Sequence, residues 1–121
     1  MHRFIIALSC FLMIVAALIS AQDFEKGLAA YDNGDYATAL KEWKPLADAG
    51  SMSAQYNIGL LYDFGRGVPQ GYKEAVKWYR LAAEQGHADA QFNVGYMHHK
   101  GQGVLADFII AHMWFNISSA N

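Results

Sequence analysis

Cysteine and proline are scarce in this chain of 121 residues, which contains one cysteine, Cys10, and two prolines. A single cysteine excludes an internal disulfide framework and a zinc site built of thiolates, because either needs several thiols. A strong charge of one sign is also lacking, since beyond Ala21 eleven acidic residues stand against eight basic ones. The basic patch of nucleic-acid-binding proteins is therefore missing, and we predict no nucleic-acid partner.

The N-terminus combines a short basic start with a long apolar run. Met1-His2-Arg3 precedes sixteen apolar and small residues, Phe4 to Ile19, and polarity returns at Gln22. This arrangement is typical of a secretory signal, so we predict a signal peptide over residues 1–21. The alternative is an uncleaved anchor, but sixteen residues are fewer than the roughly 20 that a membrane-spanning helix needs. We predict a periplasmic or secreted bacterial protein with no stable membrane span after signal removal.

A repeat of 36 residues is the strongest pattern in the sequence. Apolar residues recur within each unit at helical spacing, and the alternation typical of strands is absent. A period between 20 and 50 residues indicates stacked repeats, so we predict an all-α solenoid of about three αα-hairpins. The shift superposes Tyr36 on Tyr72, Ala54 on Ala90, Gln55 on Gln91, Asn57 on Asn93, Gly59 on Gly95, Gly65 on Gly101, Gly67 on Gly103 and Trp78 on Trp114.

Two regular hairpins are predicted, over residues 50–85 and 86–121. Gly65-Arg66-Gly67 and Gly101-Gln102-Gly103 mark the turn inside each unit. Residues 22–49 are predicted to form a less regular first hairpin.

The first hairpin should consist of a short helix to about Tyr31 and a second helix from Asp35. Pro45 lies inside this second helix. Since proline removes one backbone hydrogen bond, we expect a kink or early fraying there.

Four residues recur as structural positions of the two regular units. Gly59 and Gly95 lie inside predicted helices, where glycine costs about 1 kcal/mol relative to alanine. Their common register predicts that a Trp or Tyr ring of the neighbouring helix fills the space over each missing Cβ. Trp78 and Trp114 recur with them as packing positions.

The repeat units resemble the Sel-one-like repeat family, a relative of the tetratricopeptide repeats. The likeness covers Asp35 to Asn121, whereas the first hairpin is closer to an ordinary tetratricopeptide hairpin. The resemblance implies a right-handed superhelix that serves as an adaptor or receptor for other proteins, often in bacterial envelopes. It rests on Ala54-Gln55-Tyr56-Asn57-Ile58-Gly59, Gly65-Arg66-Gly67-Val68, Ala75-Val76-Lys77-Trp78-Tyr79 and Ala82-Ala83-Glu84-Gln85-Gly86.

A stacked array of this kind offers a concave face to an extended peptide. Each asparagine amide on it offers a donor and an acceptor for a peptide backbone, although Asn57 and Asn93 could instead brace the adjoining loop. By the resemblance, the inward positions are Tyr56, Asn57, Leu60 and Asp63 in one unit and Phe92, Asn93, Tyr96 and His99 in the next.

Catalytic, cofactor and metal sites are not predicted. The serines beyond Ala21 lack a nucleophile motif. His98 and His99 are adjacent, so their side chains diverge on a helix and cannot easily share a metal, and His98 matches Tyr62, a packing position. Cysteine-rich members of the family are linked to penicillin-binding or β-lactamase activity, but this chain lacks their cysteines. A cell-wall-related hydrolase and a non-functional truncated fragment remain the alternatives to a non-catalytic adaptor.

The last predicted helix has lost the charged face of its counterpart one repeat earlier. Apolar residues replace the charges, whereas a solenoid normally ends in a polar cap. This predicts self-association, a missing following helix or a truncated product. The residues concerned are Ile109, Ile110, Met113 and Ile117.

Overall fold

The computed structural model describes residues 2–121 and contains six α-helices in that range. Each helix packs mainly against its neighbours in sequence, which is the arrangement of a stack of hairpins. The all-α hairpin solenoid predicted from the repeat is therefore confirmed. The helices are α1 (His2–Asp32), α2 (Tyr36–Asp48), α3 (Met52–Phe64), α4 (Tyr72–Glu84), α5 (Ala88–Lys100) and α6 (Phe108–Ala120).

Helix α1 is one continuous helix of 31 residues and not the short helix expected for the first hairpin. The apolar run and the first hairpin helix join because neither glycine nor proline occurs between Phe4 and Lys26. By length and composition, Arg3–Asp32 could cross a membrane, and signal sequences pass the same test. Length therefore does not separate a cleaved signal from an anchor, contrary to the expectation from the sixteen-residue run.

Helix α2 continues through Pro45 to Asp48, so the expected early fraying is not observed. The proline lies in the last turn, where it removes a single backbone bond, and its own carbonyl still accepts from the Ala49 N–H at 3.1 Å. Lys44 and Asp48 form an ion pair of 2.6 Å across the same turn.

The first helices of the two regular units end in the same way. Gly65 and Gly101 follow α3 and α5 with φ of 62° and 68°, a left-handed conformation that glycine adopts readily. The following loop then folds back onto the helix it left. The Gly71 N–H donates to the Tyr62 carbonyl at 2.9 Å, and the Asp107 N–H to the His98 carbonyl at 3.0 Å.

Aromatic rings fill the space over the helical glycines, as predicted. A Cβ on Gly59 would lie 2.6 Å from Cε1 of Tyr79, and one on Gly95 would lie 2.8 Å from the Phe115 ring, which is neither Trp nor Tyr. The first hairpin repeats the arrangement with Gly27, which the sequence analysis did not identify and whose Cβ would lie 2.6 Å from Cδ1 of Trp43. All three hairpins thus close through the same glycine–ring contact.

Two apolar clusters form the core, one at each junction between hairpins. Trp78 of α4 packs with buried residues of α2 and α3, such as Trp43 and Ile58. Trp114 of α6 packs with buried residues of α4 and α5, such as Val94. Each tryptophan thus joins its hairpin to the preceding one.

Candidate functional site

An open cavity of about 470 Å³ lies between α3 and α5, and we call it the α3–α5 groove. Five of its nine lining residues are aromatic, and one, Asp63, is charged. Such a mixture of rings and a few polar groups is typical of a binding cleft. The lining residues are Tyr56, Leu60, Asp63, Phe64, Tyr72, Phe92, Asn93, Tyr96 and Gln102.

The structure brings together six of the eight residues expected in the groove. Asn57 and His99 are the exceptions and do not line it. Asn57 is half-buried on α3, and His99 packs edge-on against Phe108 of α6, with ring centroids 5.3 Å apart. The place of these two residues on the concave face stays a prediction.

Three lining residues were missed by the sequence analysis. Phe64 ends α3, Tyr72 begins α4 and Gln102 lies in the loop after α5. Tyr72 and Gln102 lie outside the first helix of each hairpin, to which the expected groove residues belong, and Phe64 is the last residue of that helix. The match of Tyr72 with Tyr36 in the repeat was the signal that could have identified one of them.

A polar network forms one wall of the groove. The Tyr79 hydroxyl donates to Oδ2 of Asp63 at 2.8 Å, and the ring of Tyr79 lies 5.7 Å from that of Tyr56. Burial is the main cause that raises the pKa of Tyr79, and the bond to Asp63 and its charge raise it further. Burial likewise raises the pKa of Tyr56, whereas hydrogen bonding with Asn93 acts in the opposite direction on both tyrosines. The tyrosines therefore remain neutral.

Tyr56 is held in place from the next hairpin. The imidazole of His87 stacks on its ring, with centroids 4.4 Å apart. Nδ1 of His87 accepts the Ala90 N–H at 3.1 Å and so caps the start of α5. The cap fixes the ring that supports Tyr56 and thereby one side of the groove.

Two buried glutamines connect successive hairpins, a role that the sequence analysis did not assign. Nε2 of Gln55 donates to the Ala47 carbonyl at 3.1 Å, and Nε2 of Gln91 donates to the Ala83 carbonyl at 3.0 Å. Their own amide oxygens accept from Gln85 and Asn121 respectively, each at 2.7 Å. The glutamine recurs at the 36-residue period because in each unit it donates a hydrogen bond to a carbonyl in the last turn of the preceding helix.

The histidines do not assemble with other ligands. Within residues 2–121, no group of three or more histidine, cysteine, aspartate or glutamate side chains could hold a metal ion. His98 is buried in the protein, at the position that Tyr62 occupies one repeat earlier.

The apolar face expected on the last helix is exposed in part. Ile109, Met113 and Ile117 are 84%, 47% and 38% exposed and lie four residues apart, which places them on one face of α6. Ile110 differs from the expectation, because it is half-buried and packs against the core at the second junction.

Sequential hairpins with an open groove define this chain as a helical repeat protein, a class in which stacking creates the binding surface. The model of the Sel1 repeat, the family called Sel-one-like above, matches residues 53–87 and 88–121. The chain belongs to the Sel1 repeat family. Proteins of this family are commonly scaffolds for protein–protein interaction and are typically non-catalytic.

Two solved structures with a similar fold come from bacteria. One is a protective antigen present in uropathogenic Escherichia coli strains that displays an SLR fold, with 34% identity, a TM-score of 0.80 and coverage of 94% of this chain. The other is a Sel1 repeat protein from Oxalobacter formigenes, with 34% identity, a TM-score of 0.77 and coverage of 80% of this chain. This chain spans 25% and 40% of those chains.

A shorter similarity links the chain to a curated mammalian protein. The "DAP3-binding cell death enhancer 1" of Rattus norvegicus is 46% identical over 37 residues, and so is that of Mus musculus. The match covers 31% of this chain and 7% of the relatives. The similarity therefore concerns about one repeat.

Proposed function

We propose that the protein is a non-catalytic adaptor or receptor whose α3–α5 groove binds an extended segment of a partner protein. The observation that carries this proposal is the groove itself, which is lined by five aromatic rings, the carboxylate of Asp63 and the side-chain amides of Asn93 and Gln102. Aromatic side chains at a protein surface contribute large contact areas at a low entropic cost, and they are enriched in binding sites. Phe92 and Tyr96 are 52% and 44% exposed, so both rings are available to a partner.

The proposal is tested by quantitative capture of envelope proteins with the full chain in a mild detergent. Phe92→Ala combined with Tyr96→Ala should abolish enrichment of a partner that the wild type retains. Leu81→Ala is the matched control, because Leu81 is 39% exposed on α4 and does not line the groove. A partner retained by the double variant and lost with Leu81→Ala would contradict the proposal.

The two asparagines are proposed to contribute unequally to binding. Asn93 lines the groove, whereas Asn57 does not. In the same capture experiment, Asn93→Ala should weaken partner binding and Asn57→Ala should not. Equal retention by both variants would remove Asn93 from the binding surface.

A non-catalytic role is supported by two serine hydroxyls that serve the fold. Oγ of Ser51 accepts the Ala54 N–H at 3.3 Å as a helix cap, and the Ser118 hydroxyl donates to the Ala88 carbonyl at 2.8 Å. A serine nucleophile needs a base beside it instead. Turnover of the β-lactam nitrocefin by the purified chain would establish the hydrolase alternative.

We propose that the protein is exported and that α1 is cleaved after Ala21. The part of α1 that packs into the core begins at Phe24, whose carbonyl accepts from Nε1 of Trp43 at 3.2 Å. Cleavage would therefore leave the first hairpin intact. N-terminal sequencing of protein from the bacterial envelope should begin at Gln22, and an intact Met1 terminus would identify a retained anchor.

Self-association through α6 is proposed as a separate property. The exposed stripe of Ile109, Met113 and Ile117 lies on a helix with few charged residues, so burying it against a second copy would remove apolar surface from water.

A further inference from the structure

Arg66 occupies an aromatic site at the junction of the first and second hairpins. Its guanidinium carbon lies 5.6 Å from the ring centroids of both Tyr31 and Tyr36 and 5.1 Å from that of Phe64. The guanidinium also donates a hydrogen bond to the Tyr31 hydroxyl. An arginine of the chain itself thus fills this position, held by cation–π contacts and one hydrogen bond.

The next junction keeps one of the three rings of this site and lacks its arginine, and Lys100 stands at the position of Phe64. The 36-residue period places Gln102 at the position of Arg66 and Tyr72 at that of Tyr36. Asp63 takes the place of Tyr31, because each lies four residues after the glycine that contacts a ring in its hairpin. Gln102, Tyr72 and Asp63 all line the α3–α5 groove, which is open at about 470 Å³.

The electrostatics of the open site suit a cation. Asp63 is the only charged residue that lines it, and it makes no ion pair within the part of the chain that the structure describes. Tyr79 donates to Oδ2 of Asp63, so the second carboxylate oxygen is the natural acceptor for a ligand. A carboxylate is a stronger acceptor for a guanidinium than the phenol it replaces, because both partners are then charged.

Rings at the edge of the groove already hold cations of the chain. Arg66 lies against Phe64, and Nζ of Lys100 lies 5.8 Å from the ring centroid of Tyr96. Neither cation lines the groove itself. The aromatic surface there is accessible to cationic groups, and the groove interior still lacks one.

We propose, on the basis of the binding groove described above, that it recognises an arginine side chain of the partner, whose guanidinium pairs with Asp63 and stacks on the surrounding rings. Arginine is favoured over lysine because its planar guanidinium can stack on aromatic faces while one of its N–H groups bonds the free carboxylate oxygen. Arg66 is the intramolecular counterpart of that interaction.

The test is an NMR titration of the isotope-labelled full chain in detergent micelles with an acetylated, amidated Gly-Gly-Arg-Gly-Gly peptide. The peptide should shift the backbone amide signals of Asp63, Tyr72 and Gln102 saturably. The isosteric citrulline peptide, which lacks the charge, should bind about ten-fold more weakly, the ratio expected for one hydrogen bond to a charged group. The lysine peptide should lie between the two.

Two variants test the site from the protein side. Asp63→Asn keeps an acceptor for Tyr79 and should weaken binding of the arginine peptide by about ten-fold, to the level of the citrulline peptide. Gln102→Arg should fill the site as Arg66 fills the first one and abolish binding, and Gln70→Arg, on the exposed part of the preceding loop, should not. Unchanged far-UV circular dichroism confirms that each variant is folded.

Equal binding of the arginine and citrulline peptides, or undiminished binding to Gln102→Arg, would overturn the arginine site, as would the absence of any response. None of these results removes the groove as a partner-binding surface, because capture with the Phe92 and Tyr96 variants measures that function separately.

Discussion

Gly59→Ala is the substitution for which the structure predicts a result opposite to that of intrinsic propensity. Alanine in a helix interior is favoured over glycine by about 1 kcal/mol. In this fold, however, the new Cβ would lie 2.6 Å from Cε1 of Tyr79 and 3.2 Å from its Cγ. The ring cannot move aside easily, because Tyr79 is fully buried and its hydroxyl is bonded to Asp63.

Overpacking of this kind typically costs between about 1 and 3 kcal/mol. Taking about 2 kcal/mol for the clash and subtracting the propensity gain, we expect Gly59→Ala to lower the free energy of unfolding by about 1 kcal/mol. Gly59→Leu adds three further atoms in the same direction and should unfold the hairpin.

The assay is urea unfolding of the full chain at a fixed detergent concentration, followed by far-UV circular dichroism. Gly59→Ala is measured both in the wild type and in a Tyr79→Val background, where the ring is removed and a buried apolar side chain is kept. In that background the same substitution should stabilise the protein by about 1 kcal/mol, so the coupling energy is about 2 kcal/mol. Stabilisation by the same amount in both backgrounds would refute the explanation of the helical glycines.

Three further predictions concern contacts elsewhere in the chain. Gln91→Leu should lower the free energy of unfolding by about 0.5 to 1.5 kcal/mol, because the Ala83 carbonyl loses one of its two donors and keeps the Gly86 N–H. The exposed Gln70→Leu should change it by less than about 0.5 kcal/mol in the same urea assay. Hydrogen bonding with the side chain of Thr38, and then with its backbone N–H, lowers the pKa of Asp35. The contribution of Asp35 to stability is therefore present above the ordinary pKa of 3.8 and is lost as the pH falls through the lowered value. Asp35→Asn should flatten this part of the stability–pH curve, and an unchanged curve would exclude these bonds as its cause. Met113→Lys should convert a self-associating chain into a monomer in analytical ultracentrifugation, and a wild type that is itself monomeric would contradict self-association through α6.

Relations between equivalent residues were the part of the fold that could be predicted from the sequence. The match of Gly59 with Gly95 predicted the ring contacts, because glycine is unfavourable inside a helix unless another group needs the space. The equivalent contact in the first hairpin was missed since Gly27 does not fall on the 36-residue register. The loop of the first hairpin is four residues shorter than the loops of the other two. The glycine and the ring that it contacts are therefore 16 residues apart in the first hairpin and 20 residues apart in the others.

The groove was predicted only in outline. The resemblance to the repeat family implied inward positions on the first helix of each hairpin, and Tyr56, Leu60 and Phe92 are among those that line the groove. Tyr72 and Gln102 reach the groove from α4 and from a loop, and no local pattern specifies where those parts of the chain return.

The sequence by itself determined that this protein is a stack of helical hairpins, because a repeated apolar spacing can be satisfied only when each unit buries its face against the next. The tertiary structure decided where the stack has an open groove. Arg66 and Gln102 occupy equivalent positions of the repeat. Arg66 fills an aromatic site, whereas Gln102 lies at an open groove beside Asp63. That difference depends on distances between side chains far apart in the chain, which local spacing does not determine.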